Sequence, residues 1–208
     1  NSMAGLTRLV SNSLKRASAD SAVLFICDVQ EVFRPVIHNM PAVIHNTEYL
    51  NSVCHLLNVP AVITEHYAKA FGKTVSEITA HPTTKVIQKT QFSMMVPELR
   101  AELPPTRKQI ILCGIETHVC VQQTTLDLLR EDYDVFVVCD AVSSQRPYDR
   151  TVALNRLGAA GAILTTAESL IFDLMKDAKH PNFKQISGLI KRQKDTPGAN
   201  LFDHQTTL

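Results

Sequence analysis

Tryptophan is absent from the 208 residues, and glycine occurs only seven times. A glycine-rich phosphate cradle is therefore not expected, and neither G-x-G-x-x-G nor G-x-x-x-x-G-K occurs. No apolar run approaches the roughly 18 residues that a membrane span needs. Neither His-x-His nor His-x-x-x-His is present, which argues against a histidine metal site. An excess of one charge is missing too: 21 Lys and Arg face 20 Asp and Glu, for a formal charge of +1. That excludes a strongly basic nucleic-acid binder and an acidic solvating tail. Disorder as the main state is excluded by a hydrophobic share of 45%. The length suits one domain with a sizeable core.

Five cysteines, an odd number without a C-x-x-C pair, stand at Cys27, Cys54, Cys113, Cys120 and Cys139. Cys27, Cys113 and Cys139 end the apolar runs LFIC, IILC and VFVVC, and read as buried strand residues. A secreted disulfide scaffold would be shorter and richer in cysteine. A reducing intracellular compartment, the cytoplasm first, is the expectation. Asn1-Ser2-Met3 is expected to be a cloning remnant ahead of a natural start at Met3. Residues 4–19 are basic and serine-containing without an acid, a weak likeness to a mitochondrial targeting peptide that ranks behind a plain basic extension. The expected organisation is an extension over 1–20, a domain over 21–194, and a polar tail over 195–208.

Six short apolar runs read as strands: residues 21–27, 60–64, 85–88, 109–113, 135–139 and 161–165. Helical stripes lie between or after them, over 46–57, 117–130, 148–157 and 167–175, the last capped by Thr166. This alternation predicts an α/β fold: a three-layer, Rossmann-like, roughly six-stranded parallel sheet with helices on both faces. Ligands of such sheets sit at the carboxyl ends of the strands. Asp28, Glu65 with His66, Lys89, the run from Gly114 to Cys120, and Asp140 with Ser143 follow successive strands. A carboxylate, an ammonium and a thiol are thereby expected on one rim.

The segments ICDVQ with Phe33, QKTQFS with Lys89, GIETHVCV and CDAVSS, in that order, resemble the isochorismatase-like cysteine hydrolases. The likeness spans about residues 21–175. The short connections and the VLFICDVQ start look most like the isochorismatase-domain-containing subgroup. What this resemblance implies is a catalytic triad of Cys120, Asp28 and Lys89. A thiol attacks as the thiolate, and its free pKa lies near 8.5. Cys120 would open a helix, whose N–H groups favour negative charge. Asp28 would take the thiol proton, and Lys89 would orient Asp28. A non-proline cis peptide, carried over to Ile115–Glu116, would aim the N–H groups of Glu116 and Cys120 into an oxyanion hole. The implied reaction is amide C–N cleavage through a thioester.

The departures from the family matter equally. Family members that cleave a vinyl ether lack the cysteine, so Cys120 favours amidohydrolase chemistry. Nicotinamidases hold a metal after strand two, but TEHYAKAFG does not match that pattern, so neither metal nor cofactor is expected. Phe33, Tyr67, Phe71 and Thr117 are the expected substrate-binding residues, with a small molecule as partner. His66 and His118 are expected to support rather than react, and Asp140 and Ser143 to shape a loop. The resemblance also implies a homo-oligomer. Membrane and nucleic-acid partners are not expected. The competing readings are a non-catalytic scaffold or binding member, a mitochondria-associated ribonuclease, and a redox sensor resting on Cys120 without a resolving cysteine near it in sequence.

Overall fold

The computed structural model describes residues 14–194; the sequence expectations for the first thirteen residues and for the tail from 195 fall outside them. Strands β1 (Ala22–Cys27), β2 (Ala61–His66), β3 (Lys85–Lys89), β4 (Gln109–Ile115), β5 (Asp134–Ser143) and β6 (Ile163–Thr165) form one sheet. Its order is β3-β2-β1-β4-β5-β6, and every neighbouring pair is parallel.

Strand β1 shows why the sheet is central. All six of its residues are buried, and successive side chains point to opposite layers. Leu24 and Ile26 join Ile63, Ile111 and Phe136 on one side. Helices α1 (Met40–Leu56), α6 (Ala167–Met175) and α7 (Phe183–Lys194) cover that side. Val23, Phe25 and Cys27 join Ile110, Leu112 and Val137 on the other. There the cover is α3 (Pro97–Glu102), α4 (Gln122–Arg130) and α5 (Pro147–Ala160). Each large apolar side chain so buried contributes roughly 2 kcal/mol. A one-turn helix, α2 (Ala68–Phe71), follows β2. No described helix is long and apolar enough to cross a membrane.

The expected α/β layering holds, and Thr166 caps α6 by accepting from the Ser169 N–H at 3.4 Å. Three differences have physical causes. Strand β5 runs on to Ser143, because a register shift beside Leu112 and Gly114 lets the longer strand follow β4. Asp140 and Ser143 therefore lie in the strand and not after it. Helix α1 starts at Met40, with Pro41 in its first turn, where a missing N–H costs nothing. The expected helix over 117–130 begins as a π turn, Thr117–Val121, before α4.

Strands β1 and β4 run side by side and send their following chain to opposite layers. This reversal of winding opens a crevice at their carboxyl ends, the usual ligand position in such sheets.

Candidate active site

Asp28 leaves β1 with φ 55°, a left-handed conformation that aspartate tolerates better than most residues. Its backbone N–H donates to Thr64 O at 3.2 Å. Asp28 is buried, with 2% of the residue exposed. Thr64 Oγ1 donates to Oδ1 at 2.7 Å, and Lys89 Nζ donates to Oδ2 at 2.6 Å. Cys27 Sγ lies 3.5 Å from the same Oδ2.

Lys89 ends the edge strand β3, yet none of its side chain is exposed. Besides Asp28, its ammonium donates to Gln91 O at 3.1 Å and Phe92 O at 3.0 Å. The chain after β3 thus folds back as an acceptor collar. Burial works against the charged ammonium, but the Cys27 thiol, the Asp28 carboxylate and Cys120 together hold its pKa above the ordinary lysine value. An ion pair this deep persists because its remaining hydrogen bonds are satisfied.

Cys120 sits in the π turn and faces the same crevice. Two backbone devices put it there. Gly114 has φ 130°, and a Cβ at that point would lie 2.2 Å from Cys27 O, so only glycine lets β4 approach β1 here. Glu116 then takes φ 56° and reverses the chain into the turn. Among the described residues every peptide bond is trans, which corrects the cis bond expected at Ile115–Glu116.

Asp28, Phe33, His66, Phe71, Phe92, Ile115, Glu116, His118, Val119, Cys120 and Gln145 line one cavity of about 350 Å³. The structure brings Asp28, Cys120, Phe33 and Phe71 together there as expected. Two expected walls are corrected. Tyr67, with φ 40°, starts α2 with its side chain turned outward; the residue is 51% exposed and borders a separate groove. Thr117 is fully buried beneath the turn.

His66 lines the same cavity. Its ring stacks near Phe71 at 5.9 Å and Phe92 at 5.7 Å, and Nδ1 is 3.5 Å from Lys89 Nζ. Burial, then the Lys89 charge, hold the imidazole below its ordinary pKa. Sequence reasoning missed Phe92, Gln145, Thr64 and Cys27 as site residues. Phe92 stood in the QKTQFS segment and Thr64 at the end of the apolar run 60–64, so their positions were available; Gln145 gave no signal. Cys27 is pushed well up by burial, by its hydrogen bond with Cys120 and by the Asp28 charge.

The other polar strand-end residues are structural. Asp140 Oδ1 accepts from Ala167 N–H at 2.8 Å, at the start of α6. Ser143 Oγ donates to His38 O at 2.6 Å. Glu65 accepts from the Thr74 N–H and hydroxyl and from Lys73, which pins the loop after α2. Among the described residues no three His, Cys, Asp or Glu side chains are grouped as a metal site.

Residues 22–169 match the isochorismatase domain. The chain is 52% identical over 185 residues to a secreted isochorismatase effector of Phytophthora sojae, covering 86% of this chain and 88% of that one. It is 43% identical over 199 residues to isochorismatase domain-containing protein 2A of Mus musculus, covering 94% and 96%. Among solved structures, it resembles the MAR1 ribonuclease from Caenorhabditis elegans with a TM-score of 0.82 and 40% identity, over 85% of this chain and 93% of that one. Sequence, sheet order and the crevice between β1 and β4 all lead to one place: the chain belongs to the isochorismatase family.

Proposed function

We propose that the protein is a cysteine hydrolase that cleaves a small carboxamide. The observation that carries this reading is a single cavity faced by Asp28 and Cys120, with Lys89 bonded to Asp28 at 2.6 Å from behind. Thiol, carboxylate and buried ammonium are the parts that covalent acyl transfer needs.

In the proposed sequence, Asp28 accepts the Cys120 thiol proton as sulfur attacks the carbonyl carbon. Lys89 and Thr64 fix the carboxylate and keep both its oxygens oriented. The negative charge that develops on the carbonyl oxygen is met by backbone N–H groups of the turn, those of Glu116 and Cys120. Collapse of the tetrahedral intermediate breaks the C–N bond, and Asp28 gives its proton to the departing amine. Water, deprotonated by Asp28, then hydrolyses the thioester, releases the acid and returns the thiol.

The test is ammonia release from a panel of primary carboxamides, with mass spectrometry of the protein during turnover. The expected result is turnover that Cys120→Ala abolishes, and an acyl adduct on the peptide carrying Cys120. Turnover that survives Cys120→Ala would overturn the reading.

The likeness to a protein named as a ribonuclease favours a second reading. Against it stand the formal charge of +1 and a cavity of about 350 Å³ walled largely by apolar side chains. RNA cleavage lost in both Cys120→Ala and Asp28→Asn would favour the ribonuclease; cleavage that survives both would belong to another site or a contaminant.

A further inference from the structure

We infer that the cavity selects its substrate by charge: it admits a small amide with a flat apolar body that is neutral or cationic, and it excludes anions, with the Glu116 carboxylate as the determinant. The inference rests on the amide-hydrolase reading for the reaction, but not for binding.

The Lys89 ammonium, which stands behind Asp28 and does not line the cavity, has nothing left to offer. An ammonium has three hydrogens. Those of Lys89 go to Asp28 Oδ2, Gln91 O and Phe92 O, and the side chain is fully buried. No arginine and no lysine is among the residues that line the cavity. A substrate carboxylate would find no cation there.

A second carboxylate stands at the wall. Glu116 is largely buried, with 15% of its side chain exposed. Its Oε1 accepts from Gln145 Nε2 at 2.9 Å. Its Oε2 is buried without a hydrogen bond, although His118 Nδ1 lies 3.3 Å away. That nitrogen already shares a hydrogen bond with Ser144 Oγ at 3.0 Å, which explains why proximity is not pairing. A protonated His118 would also face Asp149 at 3.9 Å, so one imidazolium would answer two carboxylates. Arg146 reaches Asp149 at 3.9 Å, but from the exposed rim. With Asp28 neutralised by Lys89, Glu116 carries the unanswered charge. In a mainly apolar cavity, a second anion close to it is repelled, and a cation or N–H donor is attracted.

The remaining walls set the shape. Phe33 packs on Phe71 with ring centroids 5.2 Å apart, and the His66 ring is nearly parallel to those of Phe71 and Phe92. A flat body suits these faces.

The experiment measures binding to full-length Cys120→Ser protein by calorimetry, so turnover is not needed. The probes share one shape: benzamide, 4-(aminomethyl)benzamide and 4-carbamoylbenzoate. The cationic probe is expected to bind about tenfold more tightly than the anionic one. Adding Glu116→Gln should shrink that ratio to about twofold. Gln145→Glu, with a carboxylate added beside the first, should widen it. Thermal melting checks that each variant is folded. Equal or tighter binding of the anion, a ratio unmoved by both substitutions, or no binding of any probe at millimolar concentration would overturn the inference. A charge preference in a protein that hydrolyses no amide would sink the reaction and leave the selection standing.

Discussion

The body of the sheet and its rim between β1 and β4 are equally buried and built on opposite rules. In the body, Leu24, Phe25, Ile26, Ile111 and Leu112 are wholly apolar and wholly enclosed. Burial pushes the thiol of Cys113 on β4 up to about 12, and that of Cys54, on α1 against the sheet, further. Within a few residues of these, the rim encloses Asp28, Lys89 and Cys120. It also bends the backbone into positive φ at Asp28, Gly114 and Glu116. The body gains stability from each group it hides. The rim pairs the charge it hides deepest, Asp28 with Lys89, but leaves Glu116 Oε2 without a hydrogen bond, and its left-handed residues cost about 1 kcal/mol or more each. A fold that places both in one sheet tolerates the rim because the body holds the strand ends in register.

The sharpest way to break this contrast is to remove the rim's base. Under the proposed mechanism Asp28→Asn should lower kcat/KM on any substrate found by about a thousandfold. It also leaves Lys89 buried without its counter-charge, so melting should fall as well. Retained activity in a folded Asp28→Asn protein would contradict the assigned base.

Next in size is the point where rim and body touch. Gly114→Ala drives a Cβ into the Cys27 backbone. The expected loss is about 3 kcal/mol of stability, read by denaturant unfolding. The same change at Gly72, where nothing lies within 4 Å of the added Cβ, meets no atoms, although φ +73 strains it. It should cost less, and an equal loss at both sites would show that contact with β1 is not what demands glycine at 114.

A smaller effect tests orientation alone. Thr64→Val keeps shape and removes the donor to Asp28 Oδ1. Activity should fall about tenfold, with about 1 kcal/mol of stability. No change would mean that Lys89 alone holds the carboxylate.

The smallest effect is a pH slope. Since the folded protein holds His66 below its ordinary pKa of 6.5, the unfolded chain takes up that proton first as pH falls. The contribution from His66 is complete above about pH 6.5 and is lost as pH drops toward the folded value. His66→Gln should flatten the stability curve in that window, measured by thermal melting between pH 5 and 8.

How much of this was legible in the sequence follows the same division. Continuous apolar runs announced the strands, because a parallel sheet buried on both faces needs them. The order of Asp28, Lys89 and Cys120 at strand ends announced a shared rim. Residues whose position depends on loop conformation were not legible. Tyr67 looked like a wall until its left-handed backbone turned it outward. Gln145 became a wall only because β5 extends to Ser143. Lys89, on an edge strand, carries no local mark of burial; the collar of Gln91 and Phe92 carbonyls that encloses it is a three-dimensional fact.

The most direct test of the central claim is site-resolved labelling of all five thiols with iodoacetamide, followed by mass spectrometry, in the wild type and in Asp28→Asn. The cavity thiol Cys120 should label far faster than Cys27, Cys54, Cys113 and Cys139, and should lose that advantage when the carboxylate is removed. Labelling of Cys120 no faster than the thiols inside the sheet, or unchanged by Asp28→Asn, would contradict a nucleophile activated at the rim.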